Sequence, residues 1–239
     1  DAVPGDNRLA IELDLDAPED GVIAALAGLS QPLAAQLAGE GDWTSWDGRF
    51  TVDLADEDIA RLDLAARDGT FAIRGTTRAA RLFEGSPASL LAPELAIDLT
   101  ARLADSRARV AGTLGSDAFR LSTEGGVDIA AGTFDKLALD FRLLRPSALT
   151  EGFAGSGIGA DIVLDGAFAA PAIDYRLAAQ RLSLGPVTLF DLAAKGVSRR
   201  EQDVVIIPAD VRAARVAGID AAAGGPLTDL SLTGTFALE

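Results

Sequence analysis

Strict alternation of apolar and polar side chains is clearest at 95–103, which reads LAIDLTARL. Apolar residues occupy every second position of this run, and the positions between them include Asp98, Thr100 and Arg102. Successive side chains of a β-strand point to opposite faces of its sheet, whereas a helix repeats every 3.6 residues. The run therefore predicts a strand with one apolar face and one mostly polar face.

The same alternation recurs along the chain, at 9–15 (LAIELDL), at 137–143 (LALDFRL) and in shorter runs as far as 230–238. Gly, Asp, Ser and Pro separate these runs at roughly the 8–12 residue spacing that is typical of all-β proteins. We predict a mainly β fold: an elongated, rolled antiparallel sheet, either a β-taco or an irregular β-helix-like fold, with short helical insertions. A two-layer sandwich would also satisfy the pattern.

Helical periodicity is confined to a few places. Apolar residues recur at helical spacing between 22 and 37, and Pro32 interrupts them. We predict a helical insertion at about 19–39 and shorter helical turns at 86–91 and 146–152. The uncharged part of this insertion has a polar centre that would be costly at the midplane of a bilayer, so we do not expect it to span a membrane. Residues 1–239 as a whole are predicted to form one continuous segment of an elongated β-rich repeat body.

Composition excludes several classes of function. The 239 residues include no Cys, no His and no Met, and the formal net charge is −15. Disulfides, zinc fingers and a Ser-His-Asp triad are therefore impossible. Nucleic acid and anionic lipid headgroups should be repelled by the chain as a whole. We predict no enzyme activity, no catalytic residues, no metal site and no cofactor. Without a methionine the chain cannot begin at a natural start codon, so we expect an interior stretch of a longer protein.

Two motifs receive structural interpretations. Residues 155–160 (GSGIGA) match the glycine pattern of dinucleotide-binding loops, but that mechanism needs a helix after the glycines, and a strand is predicted there. We interpret the motif as a flexible turn. Trp43 and Trp46 are the only tryptophans, and we expect one of them to pack over the end of the apolar interior, where helix meets sheet.

The remaining functional candidate is the apolar face of the sheet. If the rolled sheet closes tightly, its leucines form a filled core, and if one edge stays open, the same face is a groove wide enough for an acyl chain. Alternation predicts both equally, and a register slip of one residue would invert the choice of residues. The candidates chosen by alternation are Leu95, Ile97, Leu99, Leu137, Leu139, Phe141, Ile162 and Leu164.

Three segments carry a resemblance to a known family. Residues 164–177 (LDGAFAAPAIDYRL) contain an L-x-G-x-x-x-x-P strand pair, and a second pair follows at 178–189. Residues 41–50 (GDWTSWDGRF) look like a turn into a new strand pair, and 143–149 (LLRPSAL) resembles alphaproteobacterial sequences. Together they are similar to the repeats of the translocation-and-assembly-module (TamB) family, and the likeness covers most of the chain in pattern.

The resemblance implies a function. Members of this family are anchored in the inner membrane of Gram-negative bacteria and cross the periplasm toward an outer-membrane β-barrel assembly protein. Their U-shaped β bodies are implicated in carrying phospholipid and in outer-membrane assembly. We therefore expect a periplasmic segment that binds phospholipid, with the membrane anchor and the protein-binding regions outside this stretch. The alternative is a structural β-rich scaffold or spacer with a filled core and no lipid binding.

Overall fold

The computed structural model describes residues 2–3, 7–19, 31–201, 204–219, 225 and 227–238. These residues are mainly β-strand with a few short helices, and every strand pair among them is antiparallel, so the predicted fold class is confirmed. The chain divides into two compact units. The first comprises Asp1–Asp105 and Gly112–Asp117, and the second comprises Ser106–Ala111 and Ala118–Glu239.

The first unit contains seven complete strands and part of an eighth. They are β1 (Ala2–Val3), β2 (Arg8–Ala17), β3 (Leu33–Gly41), β4 (Ser45–Leu54), β5 (Glu57–Arg67), β6 (Thr70–Thr77), β7 (Leu95–Ala104) and the second half of β8 (Arg107–Gly115). From β1 to β7 each strand pairs with the next one in the chain. This is the simple meander that alternating strands joined by short turns produce.

The second unit begins with the first half of β8 and continues with eight further strands. They are β9 (Phe119–Asp128), β10 (Thr133–Leu143), β11 (Phe153–Ser156), β12 (Ile158–Ala167), β13 (Ala172–Leu184), β14 (Val187–Glu201), β15 (Val204–Ala217) and β16 (Leu227–Leu238). The pairing order is β9-β10-β12-β13-β14-β15-β16.

Strands β11 and β12 lie end to end along β13. Ser156 is the partner of Arg181, and Gly159 is the partner of Ala178, so both strands keep one register on β13. Gly157 separates them with a φ of 63°, which lies in the left-handed region that glycine adopts without strain. The 155–160 glycine motif is therefore a break within an extended segment, and a strand follows it as predicted.

The predicted helical insertion at about 19–39 is wrong for residues 33–39, which lie in strand β3. The same residues also fit a period of two, with Leu33, Ala35, Leu37 and Gly39 alternating with smaller or polar residues. Pairing on both sides, with β2 and β4, overrides the local helical preference. Residues 20–30 of the prediction lie outside the described part of the chain.

The short helical turns agree with the sequence prediction better than the long insertion does. Helix α1 spans Gly85–Leu91, and a 3-10 helix spans Pro146–Ala148, so both predicted helical turns are confirmed. A further 3-10 helix at Ala79–Leu82 was not predicted. It contacts β5, where Ile59 is buried.

Deep burial is confined to the ends of strands and to small side chains. Leu54 and Ile59 are the large buried residues of the first unit, and Leu143 and Val216 are those of the second. No large side chain in the described part of the chain is less than 2% exposed. The leucines and isoleucines along the middle of the strands are therefore only partly covered.

Candidate functional site

The apolar face of the first unit is a set of rows that run across the strands. One row consists of cross-strand partners from β2 to β7: Leu13, Leu37, Phe50, Leu62, Gly75 and Ile97. The adjacent row ends in Ile73 and Leu99, and the row on the other side ends in Thr77 and Leu95. The three candidates in this unit therefore share one face with the large apolar residues of the strands that precede them.

The other five candidates lie side by side in the second unit. Leu137 is the partner of Leu164, and Leu139 is the partner of Ile162, while Phe141 faces Ala160. Phe141 also stacks on Phe119, with 5.7 Å between the ring centroids. The row through Phe141 crosses seven strands: Leu121, Phe141, Ala160, Leu177, Ala194, Val211 and Leu232.

All eight candidate side chains are half-buried. Other members of the same rows are more exposed, including Leu13 at 61%, Leu177 at 43% and Leu232 at 60%. Large apolar groups that are left partly in water form a surface that gains free energy when another apolar group covers it. The register determines which residues belong to this surface, and Ile97 lies on it whereas Asp98 lies on the opposite face.

Trp46 lies on this apolar face and fixes the local packing of β3 and β4. A Cβ atom built on Gly48 or on Gly39 would overlap the six-membered ring of the Trp46 indole. The indole Nε1 atom is buried and has no hydrogen-bond partner among the described residues. Trp46 therefore packs on the apolar face as predicted, although over strand β3 where a helix was expected, whereas Trp43 is 57% exposed.

Tyr175 has the corresponding position in the second unit. Its cross-strand partner is Gly196, and its hydroxyl group donates a 2.6 Å hydrogen bond to the main-chain oxygen of Pro208. A Cβ atom on Gly196 would crowd both the hydroxyl and the Pro208 carbonyl. In both units, then, an aromatic ring on the apolar face packs over glycine and occupies space that a side chain would otherwise fill.

The opposite face carries the charges. In the first unit, Arg49, Asp63, Arg74 and Asp98 are successive cross-strand partners of alternating sign. The Arg49–Asp63 and Arg74–Asp98 ion pairs measure 3.0 and 3.1 Å, and their side chains are more than half exposed. We refer to this side of the sheet as the charged face.

A bridging arginine organises the charged face of the second unit. Asp140 and Asp161 are direct cross-strand partners, and Arg142 pairs with both, at 2.6 and 3.0 Å. The hydrogen bond from Arg142 lowers the pKa of the Asp161 carboxyl below its ordinary value of 3.8. The guanidinium group of Arg142 therefore bridges the two adjacent carboxylates.

A hollow of about 930 Å³ lies on the charged face of the first unit. Its floor includes Ala10, Ala38, Ala65 and Ala72. A second hollow of about 430 Å³ lies on the charged face of the second unit, between Arg176 and Asp210. The alanines of the first hollow are small, and they leave this space open on the charged face.

Sequence reasoning missed two arginines on the apolar face of the second unit. Arg181 and Arg215 continue the alternation of β13 and β15 beyond the apolar residues Leu177 and Val211. Counting by two from Leu177 would have placed Arg181 on the apolar face. The signal was present in the sequence, but a search for apolar positions alone does not detect it.

Among protein-family models, curated proteins and solved structures, none matches this chain. Within the described part of the chain, no helix has the length and the apolar character that crossing a bilayer requires. The described residues also contain no cluster of three or more acidic side chains placed to hold a metal ion.

Proposed function

We propose that the apolar faces of the two units bind the acyl chains of phospholipid. In this proposal the chain is a periplasmic segment of a TamB-type bridge that carries phospholipid between the inner and outer membranes and supports outer-membrane assembly. The observation that carries the proposal is an apolar face crossing many strands whose large side chains remain half-buried. A filled core would bury them.

The energetics support binding without chemistry. Transfer of an acyl chain from water to an apolar surface is favourable by about 0.8 kcal/mol for each buried methylene group. The rows from Leu13 to Ile97 and from Leu121 to Leu232 offer many similar apolar contacts. A chain that leaves one contact therefore finds an equivalent one beside it, so movement along the face needs neither a cofactor nor a catalytic group.

The charged face supports the same proposal. Its exposed ion pairs, such as Arg49–Asp63, keep one side of the sheet in water and leave the apolar side as the surface for lipid. A structural scaffold is the competing function. It would require the apolar face to be covered by protein, and its binding surface would then lie on the charged face.

Photo-crosslinking distinguishes the two functions. A benzophenone amino acid replaces Ile97 or Ile162 on the apolar face, and Asp98 or Asp161 next to them on the charged face. The protein is mixed with vesicles of phosphatidylethanolamine and phosphatidylglycerol, irradiated and analysed by mass spectrometry. Lipid adducts at Ile97 and Ile162, with few at the aspartates, are expected. Equal adducts on both faces, or none on either, would overturn lipid binding by the apolar face.

A further inference from the structure

The apolar face of β13 changes character along its length. Ile173, Tyr175, Leu177 and Ala179 alternate on this face, and the next two positions of the same alternation are Arg181 and Ser183. The β13–β14 register has no shift between Ile173 and Leu184, so no bulge turns these residues away. The apolar face therefore leads directly to a polar end.

A hollow of about 560 Å³ lies at this polar end. Arg181 lines it together with Ser156, Ser183 and Thr188. Ser156 is the cross-strand partner of Arg181, and the Ser183 and Thr188 hydroxyl oxygens are 3.0 Å apart. None of the described residues that line the hollow is acidic, although the chain has 36 acidic residues and a net charge of −15.

A second arginine lies on the same face. Phe190 is the cross-strand partner of both Arg181 and Arg215, and the guanidinium carbons lie 5.9 and 4.1 Å from the centroid of its ring. Within the described part of the chain neither arginine forms an ion pair, whereas Arg142 and Arg212 in the same unit pair with aspartates. Stacking on Phe190 orients both groups and leaves their N–H donors available.

We propose that Arg181 and Arg215, with the hydroxyl groups of Ser156, Ser183 and Thr188, bind the phosphate of a phospholipid whose acyl chains lie toward Leu177. This inference rests on the proposed function and deepens it, because it names the part of the lipid that is held at the end of the face. Guanidinium and hydroxyl groups are suited to phosphate oxygens. Leu177 lies four residues before Arg181 on the same face of β13 and is 43% exposed, so this face favours a phosphate that carries an apolar chain over inorganic phosphate.

The test uses short-chain lipids that stay monomeric in solution. Binding of dihexanoyl phosphatidic acid is measured by calorimetry for the unaltered protein and for the Arg181→Gln/Arg215→Gln double variant. Arg176→Gln/Arg212→Gln is the matched control, since it removes the same two positive charges from the charged face of the second unit. Each charge-assisted contact contributes about tenfold in affinity, so we expect at least about a tenfold loss for the double variant and little change for the control.

Other probes separate this inference from the proposed function. Inorganic phosphate should bind far more weakly than the lipid, and equal binding of the two would show that free phosphate is the ligand, which overturns the lipid assignment. Equal losses in Arg181→Gln/Arg215→Gln and in Arg176→Gln/Arg212→Gln would overturn the site and leave only a general charge effect. In another outcome, the Arg181→Gln/Arg215→Gln variant binds dihexanoyl phosphatidic acid as well as the unaltered protein does, while crosslinking still gives lipid adducts at Ile162. That combination of results would overturn the phosphate site and retain the proposed function. No adducts and no binding would overturn both.

Protein folding is checked independently. Far-ultraviolet circular dichroism of the double variant should match that of the unaltered protein, because both arginines are exposed. Arg181→Lys keeps the charge but loses the planar donor pair, and it should bind with intermediate affinity. An affinity for Arg181→Lys as low as that of Arg181→Gln would contradict a role for the charge.

Discussion

The six-membered ring of Trp46 occupies the space that a side chain on Gly48 would take. The two residues are separated by one position in β4, so both belong to the same face of the sheet, and the ring also covers Gly39 on β3. The Trp46 ring thus packs against the main chain of β3 at Gly39 and of β4 at Gly48. Any residue larger than glycine at either position would overlap the ring. This contact stabilises the β3–β4 pair where the cross-strand partners Gly39 and Gly48 contribute no side chain to the apolar face.

Replacing Gly48 by alanine should destabilise the first unit. The added methyl group overlaps the indole, and relief of such overpacking costs about 1–3 kcal/mol. Urea unfolding followed by tryptophan fluorescence measures this cost, because both tryptophans lie in the first unit. Gly234→Ala is the control, as no described atom lies within 4 Å of the position that its Cβ atom would take. Urea unfolding of this control, followed by far-ultraviolet circular dichroism, should show no loss of stability. An unchanged urea midpoint for Gly48→Ala would contradict the packing of Trp46 over Gly48.

The two tryptophans should respond differently to lipid. Trp46 lies on the apolar face, whereas Trp43 is 57% exposed in the turn that precedes β4. Phospholipid with brominated acyl chains should quench the fluorescence of Trp43→Phe, in which Trp46 remains, more strongly than that of Trp46→Phe. Unbrominated lipid at the same concentration is the control. Equal quenching of the two variants would show that the chains do not select the apolar face of the first unit.

Asp161 should titrate below its ordinary pKa of 3.8 because Arg142 donates a hydrogen bond to its carboxylate. A lowered pKa stabilises the folded protein above the ordinary value, and this contribution is lost as the pH falls through the folded-state pKa. In Arg142→Gln the pKa of Asp161 should rise, as measured by carbon NMR of the carboxyl group. The Asp42 carboxylate accepts hydrogen bonds from Thr44 and Ser45, so its lowered pKa should not change. A rise at both sites would indicate a general loss of structure.

Removing the Tyr175 hydroxyl group should cost a modest part of the stability of the second unit. Tyr175→Phe loses the hydrogen bond to Pro208, for which we expect about 0.5–1.5 kcal/mol in urea unfolding. Tyr175→Leu also removes the ring that packs over Gly196, and its loss should be larger. Equal stabilities of the phenylalanine and leucine variants would show that the ring makes no contribution beyond its apolar area.

Much of the fold could be predicted because alternation is local information. Each run, such as 95–103, specifies a strand and its two faces, and the short turns specify antiparallel neighbours. The error at 33–39 arose because Leu33 and Leu37 satisfy a helical and a strand period at once. Pairing with β2 and β4 decided between the two, and that information lies outside the segment.

The candidate site was less accessible to sequence reasoning. Alternation identified apolar positions such as Leu139 and Ile162, but their pairing depends on a register shift in β10 between Phe134 and Leu137. Lys136 has a φ of 48° within that shift, a conformation that no apolar pattern reveals. The stacking of Arg215 on Phe190 likewise requires knowledge of which residues face each other across β14 and β15.

Pairing between successive strands also determines how such a chain can be made and lengthened. From β2 to β7, each strand needs only its predecessor as a template, so a chain that emerges amino terminus first can fold progressively with contacts close in sequence. Inserting one strand would reverse the direction of everything that follows it. Inserting a hairpin restores the direction, and such a body can therefore grow by whole hairpins while the strands on either side keep their pairing.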